Sequence, residues 1–265
     1  MNIDLNEEIL WQNRHQFIYG YQTEDNKCKI KEIVDNNMIK PNGNFPIALY
    51  LNMENIALQN VNDDCDKHLM SLIKQEYFAF IIAYELLNKT LKKVDISLLG
   101  KEVNDFLKNI NRLFINDKNC EVQSLTELLS ILKLGCSFYW NYNQKIVETG
   151  SFSGSIKDIP ISFMQVDIFL KYFKRLLNNS SHVALIIEAY SFTEKETAKV
   201  INSYLSQRSN SDLSIKVVCE PGKWPTYYDS AGNLVESIHD YGIVELDNSC
   251  HEYTEEIKKR TLKLS

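Results

Sequence analysis

The sequence predicts a three-layer α/β fold, in which helices cover a mostly parallel sheet and a helical insertion occupies about residues 64–145. Short apolar runs alternate with amphipathic stretches along the chain, which is the order of strands joined by crossover helices. The run at residues 182–188 lacks polar alternation, as is typical of a strand covered on both faces. A chain of 265 residues with 44% hydrophobic side chains can fill such a core. We therefore expect a single domain over residues 1–265.

Five short runs predict strands, because they are rich in β-branched and aromatic residues and lie between turn-forming residues. These strands are expected at residues 16–21, 45–51, 182–188, 213–219 and 242–247. In an open α/β sheet, ligands bind at the carboxyl ends of the strands. Gly20, Glu188 and Glu220 are therefore expected along one edge of the sheet.

Apolar residues that recur at intervals of three and four predict the helices. They are expected at residues 27–37, through the block at 64–145, at 164–177, from Thr193 onward and at 252–263. Ser124 and Glu127 have the spacing of a capping box, in which two side chains bond the free backbone N–H groups at a helix start, and Thr193 and Glu196 share that spacing. The long block exceeds a simple crossover helix, so we interpret it as an insertion.

The composition argues against several functional classes. A net charge of −6 does not favour a broad nucleic-acid surface, which needs clustered Lys and Arg. The longest apolar run, residues 77–87, contains Glu85 and is too short to span a bilayer. None of the six cysteines forms a C-x-x-C pair, so no metal site is expected. Because no secretory signal begins the chain, we expect a cytoplasmic protein without membrane contact.

Three stretches resemble P-loop NTPases, and in particular the origin-recognition-complex-like branch of the AAA+ ATPases. Residues 17–34 stand in the place of the phosphate-binding loop and its helix. Residues 184–196 resemble a strand that ends in acidic residues and is followed by a helix. Residues 215–219, together with residues 237–247, resemble the fourth and fifth strands of that core. The resemblance implies a P-loop NTPase-like domain.

The resemblance implies that Gly20, Lys27 and Cys28 lie at the cofactor. Lys27 stands for the family lysine that reaches the terminal phosphates, and Cys28 for the residue whose hydroxyl holds magnesium. The family glycine before that lysine is Asn26 in this chain. A thiol is a poor ligand for Mg²⁺, which prefers hard oxygen donors. The expected cofactor is therefore either none or ATP with magnesium.

Glu188 is the candidate catalytic residue. It matches the glutamate that activates water in the family, and Ile187 then replaces the aspartate that binds magnesium. If Glu188 is instead aligned with the family aspartate that binds magnesium, Glu188 is the metal ligand and no catalytic base remains. One of two acids is missing either way. A purely structural alternative is a strand-end carboxylate paired with a helix terminus or a lysine.

The predicted loop between the last two strands carries interleaved aromatic and basic residues, namely Lys223, Trp224, Tyr227 and Tyr228. Such residues are common hot spots of protein interfaces, and their rings can also stack on bases. We interpret this segment as an interaction loop for a protein and keep two alternatives, a nucleic-acid contact and a packed surface loop.

The leading hypothesis is a catalytically degenerate AAA+ ATPase-like subunit that acts as a structural or regulatory partner in a protein complex. The expected partner is an active ATPase or another copy of this chain. The resemblance suggests a bacterial setting in antiviral defence or a mobile element. The alternatives are a working ATPase with an atypical phosphate loop and a nucleic-acid-binding module.

Overall fold

A computed structural model describes eight ranges of the chain: residues 7–19, 30–35, 43–56, 67–114, 121–149, 166–207, 212–237 and 239–246. The chain divides into two compact units. The first unit comprises Met1–Met38, Pro46–Ala57 and His182–Ser265, and the second comprises Ile39–Phe45 and Leu58–Ser181. The assignment of one domain with a helical insertion stays a prediction.

The first unit is built on a five-stranded sheet. Its strands are β1 Gln16–Tyr19, β2 Ile47–Asn52, β3 Val183–Glu188, β4 Leu213–Val218 and β5 Gly242–Glu245. They lie in the order β2-β3-β4-β1-β5, and every neighbouring pair is parallel. The predicted α/β fold with a parallel sheet is thereby confirmed, and it is consistent with a P-loop NTPase-like fold.

Helices cover both faces of this sheet. On one face lie α1 (Glu7–Trp11) and α2, whose described part is residues 30–35. The predicted apolar face of α2 is confirmed, since Ile30 and Val34 are buried against the sheet. The buried members of this core are Leu10, Ile18, Ile30, Val34, Ala48, Ala184, Ile186, Val218 and Leu246. On the other face lies α8 (Lys195–Leu205), and a short helix α3 (Met53–Ile56) follows β2.

Two predicted boundaries were wrong. β2 begins at Ile47, not at residue 45, because Pro46 has no N–H and Phe45 is 68% exposed. The first residue of α8 is capped by Glu194, not by Thr193. The Glu194 carboxylate accepts the N–H groups of Glu196 at 3.0 Å and Thr197 at 2.6 Å. A negative charge is favoured at this end of a helix, where the backbone donors have no helical partner.

The second unit is helical. Its helices are α4 Lys67–Lys93, α5 Lys101–Phe114, α6 Leu125–Thr149 and α7 Val166–Leu176, with a 3-10 turn at Ile96–Leu99. The predicted capping box at the start of α6 is confirmed: Ser124 Oγ accepts the N–H of Glu127 at 3.1 Å, and the Glu127 carboxylate accepts the N–H of Gln123 at 2.8 Å. Within the described residues, no helix is both long enough and apolar enough to cross a membrane.

Gly135 allows α4 and α6 to approach each other closely. A Cβ at this position would overlap the ring of Phe80, which is buried and packs on Tyr139 with ring centroids 5.6 Å apart. We expect Gly135→Ala to lower the free energy of unfolding by up to about 2 kcal/mol, because overpacking costs about 1–3 kcal/mol while alanine regains about 1 kcal/mol of helix propensity. Urea unfolding followed by circular dichroism measures the change.

Two further variants make this prediction specific. Ser137→Ala changes an exposed position of the same helix and should leave stability within about 0.5 kcal/mol of the original. Phe80→Leu in the Gly135→Ala background should cost less than it does alone, since it removes the overlapping ring. If the losses of unfolding free energy in the two single variants simply add in the double variant, the Cβ added by Gly135→Ala does not clash with the Phe80 ring.

Candidate functional site

The carboxyl ends of the five parallel strands form one edge of the sheet in the first unit. Asn52 pairs with Glu188, Glu188 with Val218, and Val218 with Ile18, so these residues stand in one row across four strands. Because β4 lies between β3 and β1, the backbones at Glu188 and Ile18 are about 10 Å apart, or two strand spacings of ~4.8 Å. The end of β1 and Glu188 thus share an edge, separated by one strand.

Glu188 is a buried carboxylate at the last position of β3, with 8% of its surface exposed. Its Oε2 accepts a long hydrogen bond from Asn52 Nδ2 at 3.4 Å. The Asn52 side chain is oriented from its other end, where Oδ1 accepts the N–H of Glu54 at 2.9 Å and caps α3. Asn52 therefore presents a neutral amide donor to the carboxylate of Glu188.

Ile187, the residue before Glu188, has no exposed surface. It is level with Leu51 and Val217 on the two adjacent strands. Because neighbouring residues of a strand point to opposite faces of the sheet, Ile187 and Glu188 lie on different faces. An aliphatic side chain offers no oxygen to a metal ion, and Mg²⁺ is bound through oxygen atoms. In the described residues of β3, Glu188 is thus the single carboxylate at the strand end.

Further carboxylates lie at the same edge. Glu54 and Glu220 follow β2 and β4 by two residues each, and Glu245 is level with Tyr19 at the end of β1. Glu54 Oε1 accepts the N–H of Ser191 at 3.3 Å, which ties α3 to the segment after β3. Glu54, Glu220 and Glu245 thus stand at or just beyond strand ends on the edge where Glu188 lies.

The predicted cofactor-binding residues Gly20, Lys27 and Cys28 lie outside the described residues. Their role therefore stays a prediction. The described residues also contain no group of three or more His, Cys, Asp or Glu side chains that could hold a metal ion.

The segment between β4 and β5 contains the predicted interaction loop. Trp224 does not face solvent: it is 4% exposed, and its ring packs against Phe17 and Phe192 with centroids 5.7 Å away in each case. Its indole N–H donates to Asn202 Oδ1 at 3.1 Å. Trp224 is therefore part of the core on the α8 face, and its ring is not available to stack on a base.

The other residues of this predicted loop differ in exposure. Tyr227 is half-buried, and its hydroxyl lies 3.2 Å from the hydroxyl of Tyr19. Lys223 and Tyr228 are exposed, and Tyr228 pairs with Leu234 in an antiparallel bridge. We call residues Tyr227–Val235 the hairpin. The exposed part of this segment is thus the outward surface of the hairpin, whereas Trp224 is buried.

Asn202 holds the segment in place and was not singled out from the sequence. It has no exposed surface, and its Nδ2 donates to the carbonyl oxygens of Thr226 at 2.8 Å and Tyr228 at 2.9 Å. The sequence did contain a pattern that could have identified it. Asn202 lies four residues after Ala198 and next to Ile201, on the apolar face of α8. An amide on such a face needs partners, because an unpaired buried polar group costs free energy.

A buried lysine of β4, Lys216, lies level with Gln16, the first residue of β1. Lys216 Nζ donates to the carbonyl oxygens of Gln12 at 2.8 Å and Arg14 at 2.5 Å and to Gln16 Oε1 at 2.6 Å. Burial lowers the pKa of Lys216 to about 7, and the nearby Arg14 charge acts in the same direction. The three oxygen acceptors oppose that shift, since they match the three donors of an ammonium group. Lys216 thus ties the segment before β1 to β4.

Comparison with known families supports the resemblance. A family model described as ORC-CDC6-like matches residues 36–264, which is most of the chain. The match includes β2 to β5, Glu188 and the hairpin, and it begins after Gly20, Lys27 and Cys28. No curated protein matches the chain.

Proposed function

Because the chain belongs to the ORC-CDC6-like family of AAA+ ATPase-like proteins, we propose that it is a catalytically degenerate member that acts as a structural or regulatory partner in a protein complex. The observation that carries this proposal is the pair at the end of β3. Glu188 stands at the ligand-binding edge of the sheet, and the position beside it is the buried, apolar Ile187. An ATPase of this class needs one acid for magnesium and another group to orient water.

The charge of the edge supports the same proposal. Glu54, Glu220 and Glu245 accompany Glu188 there, so a triphosphate would meet carboxylates at several strand ends. Divalent cations can offset such charge, but their binding needs oxygen ligands grouped around one point. The rival function is a working ATPase that uses Lys27 and Glu188, and the position of Glu188 at the edge is what favours it.

Titration calorimetry and phosphate release distinguish these two functions. We expect no ATP turnover above background, and we expect Glu188→Gln to leave that background unchanged. If Glu188 activated water, the same change would lower turnover by about 10²–10⁴-fold, the usual contribution of a general base. Glu54→Gln is the matched control, because it removes a carboxylate from the same edge. Micromolar binding of Mg–ATP, with turnover that only Glu188→Gln abolishes, would overturn the proposal.

The partner role rests on the hairpin. Tyr228 is 52% exposed and Leu234 is 36% exposed, and they are cross-strand neighbours. An aromatic and an aliphatic side chain on one exposed surface are suited to a protein contact. The proposed partner is an active ATPase, with another copy of this chain as the alternative. A bacterial antiviral defence or mobile-element setting belongs to the same proposal.

Purification of the tagged chain from its native cell tests the partner role. We expect an ATPase to accompany the original chain and its recovery to fall at least several-fold with the double variant Tyr228→Ser, Leu234→Ser. Lys133→Ser with Leu134→Ser, which alters exposed residues of α6, is the control. Equal recovery with all three chains would remove the hairpin from the proposal. A mass in solution that doubles only when the hairpin is intact would favour the second copy.

A further inference from the structure

The hairpin has a hydrogen-bonded turn. The Asp229 N–H donates to the carbonyl oxygen of Asn233 at 2.9 Å. The Gly232 N–H donates to the carbonyl oxygen of Asp229 at 3.1 Å and closes the turn. Gly232 has a φ of 86°, which glycine adopts without strain. The Asp229 carboxylate accepts the N–H groups of Ala231 and Asn233 at 2.9 and 2.8 Å. These hydrogen bonds join the two arms of the hairpin to its turn.

α8 holds one side of the hairpin. Asn202 bonds the carbonyl oxygen of Tyr228, and Ser203 Oγ accepts the N–H of Ser230 at 3.0 Å. The exposed side chains of Tyr228 and Leu234 thus have backbones anchored to a helix of the first unit.

β1 holds the other side. Tyr19, the last residue of β1, is fully buried, and its carbonyl oxygen accepts the N–H of Leu246 at 2.9 Å. Its hydroxyl meets that of Tyr227, the first residue of the hairpin, at 3.2 Å. The Tyr227 ring also packs against Phe17 and Tyr241, with centroid distances of 5.6 and 6.3 Å. A displacement of Tyr19 would therefore change the support under the hairpin.

We propose that the Tyr19–Tyr227 contact is a conformational link that carries a change at the carboxyl end of β1 to the exposed surface of the hairpin. The inference rests on the proposed role of the hairpin as a protein contact. It adds a way in which the end of β1 regulates that contact. A shift of Tyr19 at the end of β1 would alter the presentation of Tyr228 and Leu234. A partner bound at the hairpin would act on the end of β1 through the same contact, because coupling between two sites is reciprocal.

Hydrogen–deuterium exchange on the full chain, without nucleotide or partner, tests the link. Tyr19→Phe removes one hydroxyl and keeps the ring. We expect the amides of Asp229 and Val235 in the hairpin to exchange about 2- to 10-fold faster, which corresponds to the loss of one hydrogen bond of ~0.5–1.5 kcal/mol. In the reverse direction, Tyr227→Phe should speed exchange at the Leu246 amide by a similar factor.

The control is Tyr50→Phe, which removes a hydroxyl from β2, an outer strand of the same sheet. We expect it to leave the hairpin amides unchanged. Unchanged hairpin exchange in Tyr19→Phe would overturn the link. A uniform rise that includes Val183–Glu188 would also overturn it, since that pattern reports a general loss of stability. Neither result depends on ATP turnover, so failure of the link is distinguishable from failure of the proposed function.

Discussion

Asn202→Ala is expected to lower the free energy of unfolding of the first unit by about 3 kcal/mol, because it leaves three polar groups without their Asn202 partner. These groups are the Trp224 indole N–H and the carbonyl oxygens of Thr226 and Tyr228. Each unpaired buried group costs about 1–3 kcal/mol, and water that reaches the two carbonyls recovers part of that loss. The midpoint of thermal unfolding should fall by on the order of 10 °C.

Urea unfolding followed by circular dichroism measures this change in every variant. Asn141→Ala makes the same chemical change at an exposed position of α6 and should alter stability by less than about 0.5 kcal/mol. The double variant Asn202→Ala, Trp224→Phe should lose less than the sum of the single losses, since donor and acceptor are removed together. An Asn202→Ala variant as stable as the original would mean that the loop does not depend on this amide.

The second large effect is a pH dependence that originates at His15. Burial lowers the pKa of His15 to about 4 from an ordinary value of 6.5, and the nearby Lys216 charge acts in the same direction while Asp240 opposes both. His15 Nδ1 also accepts the N–H of Ile215 at 3.0 Å, which requires an unprotonated Nδ1. Between about pH 6.5 and 4 the unfolded chain therefore binds a proton that the folded chain does not.

The sign follows from that difference in proton binding. The stability contributed by neutral His15 is complete above pH 6.5 and is lost as the pH falls towards 4. The loss is up to about 1.4 kcal/mol per pH unit and reaches about 3 kcal/mol in total. His15→Asn keeps an acceptor for Ile215 and does not titrate, so its unfolding free energy should fall less over this range.

Urea unfolding at about pH 7, 5.5 and 4.5 measures how the free energy of unfolding depends on pH in the original chain and in His15→Asn. Asn141→Ala, at an exposed position that does not titrate, is the control and should reproduce the pH dependence of the original chain. Parallel curves for the original chain and His15→Asn would contradict the lowered pKa of His15.

Local patterns were sufficient for much of the fold. The uninterrupted apolar run before Glu188 predicted a strand buried on both faces, and all six residues of β3 are buried. Ser124 and Glu127 predicted the start of α6, because a capping box involves only residues close in the chain. The ORC-like resemblance, carried by residues around Glu188 and the last two strands, is confirmed by the family match.

Long-range pairing decided the rest. β1 lies between β4 and β5, whose residues are about 200 positions away, and no local pattern encodes that choice. It places one strand between Glu188 and the end of β1. It also brings Tyr19 to Tyr227 and Asn202 to Trp224, so that a tryptophan expected at the surface is buried. Side-chain periodicity determines which residues form strands and helices, whereas packing between distant segments determines which side chains meet and which remain exposed.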